Sequence, residues 1–386
     1  MEAPMTASSK QAHGIFDVII IGGGLAGLCN AIHLSKFGTN VLLIEKNQYP
    51  KHKVCGEYIS NEVLPYLAFL DINPFHFGAV KIDNFELSTT KNKRITTKLP
   101  LGGFGISRHQ LDFVLSEKAT KNGVLILQDT VVNTVFKEDI FVVTTKTNNV
   151  FTAKICIGSF GKRSLLDMKM DRAFIQKKTP YLGVKTHVKG DFPDELVALH
   201  NFKGGYCGVS KVENNAINVC YITSYTAFKK YKNINDFQEN VVFKNKFLKE
   251  ILKQTTPIFE KPLSISQISF ETKKPVENHM IMCGDSAGMI HPLCGNGMSM
   301  AIQSAQIASK LILKYLKGSQ LTRNQLEKSY IGQWNKQFKW RLKAGHFIAF
   351  LFRKDKIAAM MLQLLKKAPF LLPIIIKQTH GKPINN

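Results

Sequence analysis

Apolar positions along this chain follow two periodicities in turn. Phe16 to Ile21 (FDVIII) is a short β-branched run stopped by glycines, the pattern of a parallel strand buried on both faces. Leu25 to Phe37 carries apolar residues at helical spacing and meets Gly38 as a candidate C-cap, and Asn40 to Ile44 (NVLLI) is a second buried strand. Together they predict a β-α-β unit. From about Val80 to Lys98 the pattern changes to short strand-like stretches with polar alternation. Gly105 to Glu117 then reads as a helix opened by Ser107, with Gln110 at the spacing of a capping box. Strands are predicted at Val124 to Leu127, Thr130 to Phe136, Ile140 to Thr145 and Phe151 to Ile157.

Residues from about Pro180 to Phe270 read mostly as strands separated by Gly, Asn and Asp turns, with one lysine-rich helix near Ile234 to Gln254. His279 to Cys283 (HMIMC) returns to the buried-strand pattern and Asn296 to Leu316 to a long helix. Segments from both ends therefore build one nucleotide domain around a β-rich insertion. The last stretch is helical in pattern: Arg323 to Phe352, Ile357 to Lys366, then a proline-broken apolar tail, Ala368 to Ile376. Its apolar faces carry basic flanks (Arg353, Lys354, Lys356, Lys366, Lys367). Two readings stand open: helices lying on a membrane surface, or a cap on the substrate domain.

Composition changes this picture little, since 44% hydrophobic and 21% charged residues over 386 positions is an ordinary globular balance with room for two intertwined domains. Charge changes it more. With 52 Lys+Arg against 28 Asp+Glu the formal net charge is +24, which suits an anionic ligand, an anionic membrane surface, or simply solvated lysines. Nucleic acid is not an expected partner, because the lysines are scattered and no helix-turn-helix, zinc-finger or aromatic RNA-binding signature accompanies them. The seven cysteines (Cys29, Cys55, Cys156, Cys207, Cys220, Cys283, Cys294) show no CxxC or metal-type spacing, so no metal is expected and the expected compartment is the reducing cytoplasm. Met1 to Gly14 is polar and lacks the apolar core of a secretory signal, and no apolar run reaches the roughly 18 residues that span a bilayer.

Candidate chemistry sits at two glycine-rich turns. Gly22, Gly24 and Gly27 form G-x-G-x-x-G between strand and helix, and Glu45 closes the next strand. Gly22 permits the turn, Gly24 lets backbone approach a pyrophosphate, Gly27 lets helix and strand pack, and Glu45 can accept from ribose hydroxyls. The second turn is Cys283-Gly284-Asp285-Ser286-Ala287-Gly288, followed by His291-Pro292-Leu293-Cys294-Gly295-Asn296-Gly297-Met298 and a helix. An aspartate just past a buried strand can bind a sugar-like hydroxyl chain, and a glycine-lined helix start can stabilise negative charge on a reduced ring.

These two turns, with Arg108-x-x-Leu111-Asp112, resemble the flavoprotein group that contains p-hydroxybenzoate hydroxylase and geranylgeranyl reductase, across most of residues 15 to 320. The resemblance implies an α/β fold: a Rossmann-like FAD-binding domain of the glutathione-reductase type (15–80, 100–165 and 271–320), an inserted β-rich substrate domain (81–99 and 166–270), and C-terminal helices (321–386). It implies FAD as cofactor, NAD(P)H as electron donor and a hydrophobic small molecule as substrate. The implied cofactor site comprises Gly22, Gly24, Leu25, Ala26, Gly27, Glu45, Lys46, Lys53, Arg108, Gly284, Asp285, Pro292, Gly295, Asn296, Gly297 and Met298.

Lys53-Val54-Cys55-Gly56-Glu57 resembles the K-x-C-G segment of the reductases, and Gly205-Tyr206-Cys207-Gly208-Val209-Ser210-Lys211 lies where they carry a substrate strand, implying roles for Tyr206 and Lys211. Phe160 stands where the family has an aspartate that helps bind FAD and often the nicotinamide partner. Cys55 is a flavin-contact or redox residue, or an inert small hydrophobe. Arg108 reaches the cofactor or is solvated, and His291 donates protons or is structural. Double-bond reduction is the first expectation and hydroxylation of a phenolic or polyketide-like compound the second. Halogenation is weaker, because Trp334 and Trp340 do not form the halogenase W-x-W-x-I-P pattern, and a flavin-binding protein without turnover is the last.

Overall fold

A computed structural model describes residues 14–177, 181–318, 321–352 and 355–385. It opens with β1 (Gly14–Ile21), α1 (Leu25–Ser35) and β2 (Val41–Glu45), the predicted unit. Val18↔Val41 through Ile21↔Ile44 pair in parallel, and all of these side chains are buried, as β-branched residues covered on both faces should be. The chain continues through β3 (Tyr58–Ser60), α2 (Leu64–Phe69), β4 (Val80–Thr89), β5 (Lys93–Gly105) and α3 (Arg108–Lys121). Next come β6 (Leu125–Gln128), β7 (Val131–Lys137), β8 (Ile140–Thr145), β9 (Val150–Gly158) and α4 (Leu165–Lys169).

The middle of the chain forms β10 (Tyr181–Lys189), β11 (Leu196–Phe202), β12 (Gly205–Lys211), β13 (Ile217–Ser224), α5 (Tyr225–Phe228), α6 (Ile234–Asn240), α7 (Lys246–Lys253), β14 (Thr256–Pro257) and β15 (Leu263–Ile268). The last part returns through β16 (Val276–Glu277), β17 (Met280–Met282) and α8 (Gly297–Leu316), and ends on α9 (Arg323–Phe352), α10 (Asp355–Lys367) and α11 (Leu371–Thr379). Of the predicted basic flank, Arg353 and Lys354 lie outside the described residues, as do Met1 to His13 and Pro180.

Two sheets organise these elements. The first runs β16-β17-β9-β1-β2-β6, with β7 and β8 attached through β9; α1 packs on it, and α3 and α8 pack against α1. Strand order reverses at β1, whose neighbours are β2 and the much later β9, so a crevice opens beyond the carboxyl ends of β1 and β9. The second sheet runs β14-β10-β13-β12-β11-β4-β5-β3, with β15 on β10. At one edge its strands β4, β5 and β3 come from residues before 106, and β4 joins β11 in parallel, Leu196↔Asn84 to His200↔Ser88.

Several expectations need correcting. The stretch expected to hold short strands is two long ones, and the second swallows Gly105, so α3 starts at Arg108. Ser107 caps α3, its Oγ accepting from Gln110 N–H at 3.0 Å, yet the capping box does not close. The Ser107 N–H donates at 2.8 Å to the carboxylate of Glu213, a charged acceptor that outcompetes the Gln110 amide. The lysine-rich helix is split: Asn233 caps α6 and Asn245 caps α7, and Asn245 also donates to Ser88 Oγ at 2.8 Å and Asn201 O at 3.0 Å. The proline-broken tail forms α11, because Pro373 falls in its first turn, where a backbone N–H has no helical acceptor. The C-terminal helices cap β4 and β5, burying Phe352, Ala358, Leu362, Leu365 and Leu372 against Leu87 and Ile95.

Candidate dinucleotide and substrate site

At the end of β1 the backbone leaves no room for side chains. Gly22 has φ +102°, and a Cβ on Gly27 would stand 2.0 Å from Gly22 O, so α1 can sit this close to the turn only as glycine. Gly24 occupies the N-cap of α1 with no side chain capping it, and Leu25 and Ala26 are buried in the first turn. The uncapped N–H groups and the helix dipole favour an anion here. A Cβ on Gly24 would lie 3.6 Å from Arg108 Nη2 and 4.0 Å from Lys53 Nζ, so two cations face the helix start.

Both cations are held by one carboxylate. Asp112, buried on α3, accepts from Arg108 Nε and Nη2 and from Lys53 Nζ, each at 2.8 Å. Burial pushes the Asp112 carboxyl up, but Arg108 and Lys53 outweigh it and hold it below the usual range. Burial likewise opposes the Arg108 charge, and Asp112 overcomes it so that the guanidinium stays protonated. Two positive groups on one negative group leave a surplus positive charge aimed at Gly24. On the opposite side, Glu45 accepts from Gly23 N–H at 2.7 Å and from Asn47 N–H at 3.0 Å, with exposed Lys46 beside it. Asn47 Nδ2 donates to Glu45 as well, at 2.6 Å, so Glu45 braces the turn and keeps one acceptor position, on Oε2, for a hydroxyl group.

The second turn completes the arrangement. Beyond β17, Gly284 lies with its Cα face against Ala26, and Asp285 is half-buried. Pro292 is exposed at a short turn, Gly295 has φ +62°, and Asn296 is the N-cap of α8 without making a side-chain cap. Asn296 Nδ2 donates to Glu62 Oε1 at 2.7 Å, while its buried Oδ1, like the Oγ of Ser299, has no hydrogen-bond partner among the described residues. Gly297 and buried Met298 open α8, and Cys55 Sγ lies 3.5 Å from Met298 Sδ. Two uncapped helix starts, a cationic pair and orphaned buried acceptors fit an elongated anionic dinucleotide such as FAD. Arg108, Lys53 and the α1 start would hold the pyrophosphate, and Asp285 with the α8 start would hold the ribityl chain and ring.

The Cys55 loop is tied to the second sheet. Asn218 Nδ2 on β13 donates to Gly56 O at 2.8 Å and Cys55 O at 3.3 Å. Glu57, fully buried with φ +54°, accepts from Arg108 N–H at 2.8 Å, from His187 Nε2 at 2.7 Å and from Lys185 Nζ. Burial alone would raise the Glu57 carboxyl; the His187 hydrogen bond and the Lys185 charge outweigh it and keep it ionised. Ligand atoms of His52, Glu57 and His187 lie within 4.8 Å of one another, and both Glu57 oxygens are already partnered, one by Lys185 and the other by His187.

A cavity of about 370 Å³ lies between the second sheet, the turn before α8 and α9. Tyr206, Ile222, Phe270, His291, Leu293 and Phe350 line it. Burial pushes the Tyr206 phenol well up, and its hydroxyl has no hydrogen-bond partner among the described residues. The His291 ring lies 4.6 Å from that of Phe270 and 5.9 Å from that of Tyr206. His291 Nδ1 accepts from Leu293 N–H at 3.4 Å, which closes the short turn before α8. Lys211 does not join the cavity: it points to the other face of β12 and pairs with Asp194, as strand alternation requires of a residue five positions from Tyr206.

Other contributors carried no signal in local sequence. Tyr49 donates from its hydroxyl to Gly23 O at 2.6 Å. Lys273 donates to Lys162 O at 2.8 Å and Asp285 O at 2.7 Å, its pKa pulled down to about 8 by burial. Buried Arg172 donates to Asp167 Oδ1 at 2.8 Å and Ser286 O at 3.0 Å. Lys273 thereby staples the Gly158 to Ser164 segment, with half-buried Phe160, to the Asp285 turn, and Arg172 ties α4 to the same turn.

The family model described as FAD binding domain matches residues 16–330. Digeranylgeranylglycerophospholipid reductase of Methanococcus vannielii is 23% identical over 346 residues, covering 86% of this chain and 83% of that protein. The flavin-dependent brominase Bmp2 superposes with a TM-score of 0.80 at 17% identity, over 96% of this chain and 94% of its own. A probable FAD-dependent monooxygenase from Pseudomonas aeruginosa superposes at 0.72 with 14% identity, over 90% of this chain and all of its own. The two structural likenesses show a shared fold.

Proposed function

The chain belongs to the FAD binding domain family and is an FAD-dependent oxidoreductase, and on that premise we propose that it reduces a carbon–carbon double bond in an apolar, isoprenoid-like substrate. The observation that carries this reading is the cavity walled in part by Ile222, Phe270, Leu293 and Phe350, with the Tyr206 hydroxyl at its wall unpartnered among the described residues. Saturating a double bond adds a hydride and a proton. FAD supplies redox chemistry where it is bound, with NAD(P)H as the proposed electron donor. Tyr206 holds a proton at the cavity, Phe270 and Ile222 exclude water, and His291 orients the turn that joins the cavity to the α8 start. The similarity to a digeranylgeranylglycerophospholipid reductase supports the same substrate class.

Purified protein is expected to show flavin absorbance and to oxidise NADPH when a prenyl compound is added, under argon as in air, leaving the product with a saturated bond. Oxidation that requires oxygen and yields a hydroxylated phenol would assign the chain to the monooxygenases instead. Tyr206→Phe is expected to lower kcat by roughly a hundredfold or more with little change in KM, the usual effect of losing a positioned acid.

A further inference from the structure

The outer faces of the C-terminal helices carry a second feature, one that capping the substrate domain does not explain. On α9, Trp340, Phe347 and Phe350 are 64%, 63% and 50% exposed, and Lys336 and Lys343 fall on the same helical stripe. On α10, Met360 and Leu364 are exposed one turn apart and Lys367 follows them. On α11 the same order recurs: Phe370 at its N-cap, Ile374, then Lys377. Trp340 Nε1 donates to Gln378 Oε1 at 3.2 Å, so the α9 and α11 stripes adjoin.

Rings and aliphatic chains of this size are not left in water without a reason when the opposite faces of the same helices supply Phe352, Ala358, Leu362, Leu365 and Leu372 to a buried cluster. The α10 and α11 stripes end in lysine and the α9 stripe carries Lys336 and Lys343 beside its rings; the long lysine stem lets the charge reach past an apolar layer. From residue 331 to the end the sequence holds eleven Lys and Arg against one acidic residue, Asp355. Among the described residues no helix is long and apolar enough to cross a bilayer, so such a face can only lie on a surface. Phe350 belongs both to this face and to the cavity wall, which makes the apolar surface continuous with the cavity mouth.

We propose that α9, α10 and α11 form a docking face for an anionic lipid bilayer, placing the cavity mouth at the membrane so that an apolar substrate enters from the lipid. The entry route rests on the reduction reading above; the docking face does not. Aromatic and aliphatic side chains enter the headgroup boundary while Lys336, Lys343, Lys367 and Lys377 meet lipid phosphates.

The test mixes FAD-loaded full-length enzyme with phosphatidylcholine vesicles, with and without phosphatidylglycerol, and measures co-sedimentation. Wild-type enzyme is expected to sediment with the anionic vesicles and to be partly released by salt. The double variant F347E/F370E is expected to lose vesicle binding by roughly tenfold or more while keeping its rate with a short, detergent-solubilised prenyl substrate. Equal sedimentation of the variant and wild type would overturn the proposal. So would a wild-type dimer that the variant splits into monomers without any vesicle binding, since the face would then cover a second copy of the chain. Vesicle binding by an enzyme that saturates no prenyl substrate would uphold the docking face and remove the reduction reading alone.

Discussion

Asp112 and Glu57 are buried carboxylates that organise cations rather than carry out chemistry. Asp112 fixes Arg108 and Lys53 over Gly24, and Glu57 fixes the Cys55 loop through Lys185 and His187. Removing one partner strands the others without compensation, so Asp112→Ala is expected to cost roughly 3–5 kcal/mol in chemical denaturation and to abolish flavin retention. Both carboxyls are held below their ordinary values. Their stabilisation is therefore fully present above the ordinary carboxylate range and is lost as pH falls through that range toward the lowered values. Unfolding measured against pH should show a steep acid limb, and Glu57→Gln should flatten it. An acid limb unchanged in that variant would assign the transition to other groups.

At the scale of elements, short-range geometry was legible. The strand, glycine turn, helix and second strand from Phe16 to Ile44 rest on local periodicity and on glycines whose absence of Cβ the packing demands. Gly27→Ala, with its new atom 2.0 Å from Gly22 O, must push α1 off the turn. It is expected to cost about 1–3 kcal/mol and to release flavin, read by denaturation and by flavin fluorescence in the filtrate. Legibility failed where a distant partner overrode a local preference. Glu213 took the N–H that the Ser107 box would have used, and Asn245 broke a helix by reaching across to Ser88 and Asn201. Lys211 shared a motif with Tyr206 but not a face of the sheet.

For the whole molecule, the second sheet is drawn from two separated stretches of chain. β4 supplies the parallel neighbour of β11, β5 covers β4, and β3 reaches in from the Cys55 loop. A fragment of residues 181–270 would expose β11 as a bare edge and lose the anchor that Ser88 gives Asn245 at the start of α7. It is expected to lack near-ultraviolet circular dichroism and protected amides; a folded fragment would mean that the sheet is complete without its early strands. The same interleaving brings Cys55, Glu57 and Lys185 together.

The sequence alone determined a β-α-β dinucleotide fold, a second glycine-rich turn after a late buried strand, a β-rich middle and a basic helical end. Each follows from spacing over a few residues, where backbone geometry and side-chain periodicity are decided. The tertiary structure decided which residues meet: Glu57 with Lys185 across 128 positions, Cys55 with Met298 across 243, and Phe350 with the cavity of Tyr206. Such pairs carry no local signature, because burial and charge compensation between distant residues depend on how sheets and helices are stacked.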